Sequence, residues 1–184
     1  MENPLLGYLL AAAPPAFAPA VATEGGPACA ECGLAGGALE DYRSTTPTGV
    51  LLCLVCTLGR TAAWEPERVR LALVPELAQG ALNALVTRLT VNLLRARAGE
   101  PAPAGIEAVL QAKLLEDVQH RAAATRAALP WAASPARLRH TLLALPAAAR
   151  ARVRVELAGL RTLPEPADPA LARFFNRRRA WTAA

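Results

Sequence analysis

The chain has 184 residues, 53% of them apolar and 19% charged, with a formal net charge of +5. That balance excludes a disordered chain and leaves room for one domain, or for a small module joined to a larger body. Aromatic residues make up only 4%, so the core must be built from Leu, Val and Ala, which favours helices.

The charge is unevenly spread. Residues 1–64 carry Arg43 and Arg60 against Glu2, Glu24, Glu31, Glu40 and Asp41, a net −3. Residues 65–184 carry eighteen basic and ten acidic side chains, a net +8. Nineteen of the twenty basic residues are Arg, Lys113 being the exception; with so much Ala, this reads as coding bias rather than chemistry. A basic half suits nucleic acid, an anionic membrane surface or an acidic partner, while solvated arginine faces are the plainer reading.

Residues 1–26 form an N-terminal segment. Leu5–Ala13 is apolar and Ala16-Phe17-Ala18 resembles a small-residue cleavage site. The stretch lacks Lys and Arg and carries Glu2, contrary to a secretory signal. Pro4, Pro14, Pro15 and Pro19 interrupt any membrane helix of about 20 residues. A short helix packing on the body is expected, with no membrane insertion.

Residues 27–64 carry the strongest signal. Cys29-x2-Cys32 is followed, after twenty residues, by Cys53-x2-Cys56. Two cysteines three apart aim both sulfurs at one point from a tight turn, and two such pairs supply the tetrahedral thiolates that Zn²⁺ prefers. Gly33 after Cys32 suits a turn needing positive φ. Two disulfides are the alternative, disfavoured in an intracellular protein. The extended run from Leu39, the turn signals Pro47 and Gly49, and Val50-Leu51-Leu52 predict a hairpin. A helix from Cys53 to about Ala63 would complete a treble-clef finger. Four Cys ligands leave no open coordination position, so the zinc is expected to be structural. An HNH nuclease would need a His on the first strand, where this chain has Glu40-Asp41-Tyr42. The only histidines, His120 and His140, lie in the helical part and read as ordinary surface or half-buried residues.

Residues 65–184 read as a helical body. Arg68–Val74 alternates as a strand, and Pro75 is placed at the first position of a helix whose apolar face is Leu82, Leu85, Val86, Leu89 and Leu93. Residues 99–103 form a linker. A second long helix is expected from Ile106 to Leu129, with Ile106, Val109, Leu110, Leu114, Val118, Ala122 and Thr125 on its buried face. Ser134-Pro135 caps a helix to about Leu145. Pro146 opens another ending near Gly159, with a strand over Arg152–Leu157 as the alternative. Asp168-Pro169 caps a last helix holding Leu171, Phe174 and Phe175. There the arginines Arg177–Arg179 are expected to stay in water, the alternative being phosphate binding beside base-stacking aromatics.

Certain residues carry a resemblance. These are the two knuckles, the stretch Val74-Pro75-Glu76-Leu77-Ala78-Gln79 leading into Ala81-Leu82-Asn83, Arg161-Thr162-Leu163-Pro164, and the terminal helix ending in Trp181. Over about residues 27–182 the chain resembles the DotN/IcmJ family of the Dot/Icm type IVB secretion system. That resemblance implies a zinc-containing HNH-like fold without nuclease activity, in a cytoplasmic coupling complex peripheral to the inner membrane. It further implies binding to the coupling ATPase and other subunits, recruitment of protein substrates, and Cys29, Cys32, Cys53 and Cys56 as zinc ligands. The expectation is therefore an α+β, mainly α protein: a treble-clef module with a helical body, acting as a non-enzymatic adaptor. A nucleic-acid-binding zinc protein is the alternative.

Overall fold

A computed structural model describes residues 4–20, 27–36, 38–45, 49–100 and 108–181. The fold is α+β and mainly α, with seven α-helices among the described residues and two small sheets. The first sheet has the order β1–β2–β3, from β1 (Phe17–Pro19), β2 (Tyr42–Thr45) and β3 (Leu51–Cys53), all antiparallel. The second pairs β4 (Val69–Leu73) with β5 (Leu160–Pro164) in antiparallel register, Val69 opposite Pro164 and Leu73 opposite Leu160.

The second sheet organises the molecule because its two faces feed two apolar clusters. Side chains alternate along a strand: Val69, Leu71 and Leu160 enter the main core, while Ala72, Leu163 and the following Val74 enter a smaller one. The main core draws on α1 (Pro4–Leu10), the cysteine module, α2 (Leu54–Thr61), α5 (Pro135–Ala144) and α7 (Pro169–Trp181). The smaller cluster is closed by α3 (Gln79–Arg97) and α4 (Ala108–Ala128) through Leu82, Val86, Val118 and Ala122. The remaining helix, α6 (Ala147–Glu156), buries no residue.

Several local readings hold. Leu5, Leu6 and Leu9 of α1 are buried in the main core, so the N-terminal helix does pack on the body. Ser134 accepts a hydrogen bond from the Arg137 amide at the start of α5. Asp168 Oδ1 accepts from the Ala170 and Leu171 amides at the start of α7, as N-cap side chains do.

Others are corrected. Leu39–Asp41 is a 3₁₀ turn, and extension begins only at Tyr42. The expected turn residue Pro47 lies outside the described residues, while Gly49 takes φ +66°. Pro75 does not open α3. Val74 is still tied across to Gly159, its amide donating to the Gly159 carbonyl at 2.8 Å, and the helix starts at Gln79. Arg152–Leu157 is not a strand: Arg152–Glu156 lie in α6, and Leu157 caps it. The strand instead comes after Gly159, whose missing Cβ lets Pro75 pack against the backbone; an added Cβ would lie 2.7 Å from Pro75 Cβ. On α4, Val109, Leu110 and Leu114 are exposed, whereas Val118, Ala122 and Thr125 are buried as expected. The buried side of α4 is rotated toward Gln111. The expected helix start at Ile106, and residues 101–103 of the linker, lie outside the described residues.

The arginines of α7 give the largest correction. Arg178 is 5% exposed. Its guanidinium donates to the carbonyls of Ala35 (2.6 Å) and Gly36 (3.0 Å) and to the Tyr42 hydroxyl (3.1 Å). Arg177 pairs with Asp41. Helix α7 is thus stapled to the first knuckle by charged groups whose partners lie more than a hundred residues away in sequence.

Candidate metal centre

The first knuckle is a tight turn: Gly33 donates to the Cys29 carbonyl at 2.8 Å, and Cys29 donates to the Leu34 carbonyl at 2.9 Å. Gly33 takes φ +70°, the left-handed conformation that a side chain resists. The Ala30 amide donates to the Leu51 carbonyl at 2.9 Å, which fixes this knuckle against β3. The second knuckle spans the end of β3 and the first turn of α2, with Cys53 as the N-cap residue and Cys56 inside the helix. Knuckle, hairpin and helix in this order make the expected treble clef.

All four cysteine sulfurs lie within 4.8 Å of one another. Cys29, Cys53 and Cys56 are buried and Cys32 is half-buried. The Cys32 and Cys53 sulfurs are 3.7 Å apart, far beyond an S–S bond of about 2.05 Å. A tetrahedral ion with metal–sulfur bonds of about 2.3 Å separates its sulfurs by about 3.8 Å. The donor set and spacing therefore fit a single metal ion.

Four thiols this close to one another are strongly coupled. Hydrogen bonds from Cys32, Cys53 and Cys56 push Cys29 far down, and the contact with Cys29 pushes Cys56 far up. A divalent ion bound among them would deprotonate all four thiols.

The surroundings connect this cluster to the body. Asn83 is 1% exposed, and its side-chain amide donates to Cys56 Sγ at 3.2 Å. One turn earlier, Gln79 donates through Nε2 to Asn83 Oδ1 at 2.8 Å. Gln79 also bonds both backbone groups of Thr162: Nε2 to the carbonyl and Oε1 from the amide, each at 2.9 Å. Its amide occupies the free edge of β5 as a neighbouring strand would. A chain of hydrogen bonds thus runs from β5 through α3 to a cysteine sulfur. Hydrogen bonds of this kind orient metal ligands and tune their basicity.

Between these two residues lies Gly80, where an added Cβ would stand 2.1 Å from the Glu31 carbonyl oxygen. The absent side chain lets the first knuckle sit directly on α3. Gln79 and Asn83 fall within the stretch Pro75–Asn83 that carried the resemblance, but the sequence reading assigned them no role. Two amides four apart on an apolar helix face were the available signal, since i and i+4 share a face.

Glu40-Asp41-Tyr42, where an HNH enzyme would carry its histidine, is committed to structure. Asp41 pairs with Arg177, and the Tyr42 hydroxyl lies 2.6 Å from the Gly36 carbonyl while accepting from Arg178. His120 and His140 are both exposed, on α4 and α5, and neither belongs to the cysteine cluster. None of the described helices is long and apolar enough to cross a membrane. Scans against protein-family models and curated proteins find no match to this chain.

Proposed function

We propose that the four cysteines bind structural zinc and that the protein is a non-enzymatic adaptor of a type IVB secretion coupling complex. In this role it binds the coupling ATPase and helps recruit protein substrates, in the cytoplasm and peripheral to the inner membrane. Zinc is favoured because four thiolates select a soft, tetrahedral ion, and four protein ligands leave no position for a reacting water. The observation that carries the adaptor reading is the use made of Gln79 and Asn83. Both lie in the most specific stretch of the resemblance, and they join the cysteine cluster to the helical body. A free-standing finger has no need of that junction.

The deciding experiment is affinity purification of the tagged protein from cells that also produce a type IV coupling ATPase. Recovery of the ATPase supports the adaptor reading, and its absence at low salt counts against it. Metal analysis of the same preparation reads the zinc content directly.

A second reading, nucleic-acid binding, draws on exposed arginines such as Arg152 and Arg154 of α6. Phosphate contacts strengthen as salt falls, so a gel shift with duplex and single-stranded DNA at low salt tests it. A mobility shift that fades steeply with added salt would favour this reading.

A further inference from the structure

A cleft of about 850 Å³ lies between β1, the Leu39–Arg43 segment, α2 and α7, with no cysteine in its lining. Leu39, Leu54, Leu58 and Ala170 give it an apolar lining. Its charged lining is unbalanced. Glu40 and Asp41 pair with Arg177, and Glu65 pairs with Arg68. Two guanidiniums remain without a carboxylate among the described residues. Arg43 donates only to the backbone carbonyls of Glu40 and Tyr42, and Arg173 is exposed.

The remaining wall is an edge strand. Residues Phe17–Ala20 line the cleft, and among the described residues β1 pairs on one side only, with β2. The hydrogen-bond directions follow from β2. The Thr45 amide donates to the Val50 carbonyl at 2.9 Å, so Thr45 faces β3. Backbone groups alternate in direction along a strand, so Ser44 faces β1, where Ala18 stands opposite. Phe17 and Pro19 therefore direct their backbone groups away from the sheet. Pro19, which has no N–H, then costs no ladder bond.

We propose that this cleft binds an extended acidic peptide of a partner protein, added as a strand along β1. The peptide backbone would accept from the Phe17 N–H and donate to the Phe17 and Pro19 carbonyls, alternate apolar side chains would enter the lining, and carboxylates would reach Arg43 and Arg173. Nucleic acid fits less well. Phe17 is the sole aromatic in the lining, which leaves little for bases to stack on, and a strand edge offers main-chain pairing that only a peptide can match. The inference deepens the adaptor reading by naming a peptide class, yet it stands on the cleft alone.

The test is selection from a random linear peptide library on the full-length, zinc-loaded protein. Binding of the enriched peptides is then measured by fluorescence anisotropy on wild type and on Arg173→Glu. Arg173 is exposed, so the variant should keep the wild-type melting temperature. The expected result is enrichment of Asp or Glu alternating with apolar residues. These peptides should bind the variant about tenfold more weakly, with a stronger salt dependence on wild type. N-methylation of alternate peptide amides should abolish binding in one register and spare it in the other, which a purely ionic contact would not produce.

Enriched peptides without acidic residues, equal binding to the variant, or insensitivity to N-methylation would overturn the proposal. So would displacement of wild-type-selected peptides by single-stranded oligonucleotide at lower concentration than by acidic peptide. If acidic peptides bind but no coupling ATPase is recovered, the cleft stands and the secretion reading falls. If the ATPase is recovered equally by wild type and Arg173→Glu and no peptide is enriched, the cleft alone falls.

Discussion

Helix α2 and helix α6 differ in what makes them helical. Six of the eight residues of α2 are buried, among them Cys56. Isolated helices this short are unstable in water, so α2 exists because its tertiary contacts and the cysteine cluster hold it. The ten residues of α6 bury none, and Val155 is 77% exposed. Ala and Arg both rank high in helix propensity, and α6 relies on that together with the half-buried Val153 and the buried Leu157 at its C-terminal cap. The long α4 lies between these cases, with Gln111, Val118, Ala122 and Thr125 buried along 21 residues. Periodicity in this chain therefore marks helices well and buried faces poorly. The cysteine module is held by many buried contacts, and the outer helices by a few each, with propensity supplying the rest.

The sharpest way to test that contrast is to remove the metal. Cys53→Ser, or chelation of the wild-type protein, should cost on the order of 10 kcal/mol of folding free energy, because structural zinc binding is itself folding free energy. The main core joins the cysteine module to α1, α5 and α7, so the melting transition of the whole protein should collapse. Circular dichroism should still report residual helix from Ala-rich segments. A variant with full metal content and an unchanged melting temperature would contradict the site.

Breaking the link between module and body comes next. Gln79→Ala leaves the Thr162 amide and carbonyl and Asn83 Oδ1 without their partner. Unsatisfied buried groups cost about 1–3 kcal/mol each, so a loss of about 3 kcal/mol is expected in urea denaturation. Asn83→Ala should weaken metal affinity by about 10–100-fold, the usual effect of removing a hydrogen bond to a metal ligand, as read by competition with a chelator. Unchanged affinity would show that the amide–sulfur contact does not tune the site.

A smaller effect is expected from Gly80→Ala. In most helices this change stabilises by up to about 1 kcal/mol. Here the new Cβ meets the Glu31 carbonyl, and the forced shift should cost about 2 kcal/mol. Gly7→Ala in α1 is the control, since nothing lies within 4 Å of its added Cβ, and it should be neutral or stabilising. Matching effects at both positions would mean that the knuckle can move off α3.

These contrasts also explain what was legible in sequence. The cysteine pairs, Gly33, and the caps at Ser134 and Asp168 act within a few residues of themselves, so their spacing revealed them. Strand β5 was not legible because, unlike the alternating residues of β4, its apolar Leu160 and Leu163 stand three apart, and the partner that makes it a strand lies about ninety residues earlier. Arg178 was expected in water because a run of arginines at a helix end usually is. Its acceptors, Ala35 and Gly36, are placed there only by the knuckle turn. The role of Gly80 needed the fold, since an ordinary helical glycine and one under a carbonyl look alike in sequence.

The smallest expected effect concerns α4, where the sequence pattern and the packing disagree. The pattern gives Val109 and Val118 equal standing on one apolar face. In the structure Val118 is 6% exposed, within the smaller core beside Ala72, Val86 and Leu163, while Val109 is 65% exposed. Val118→Ala removes buried methyl groups and leaves a gap between α4 and the β4–β5 ribbon, for a loss of about 1–2 kcal/mol. Val109→Ser, at the solvent side of the first turn, should change stability by less than about 0.5 kcal/mol. Equal losses at the two sites would mean that the first turn of α4 is covered in solution, and the distinction between a heavily and a lightly held helix would fail there first.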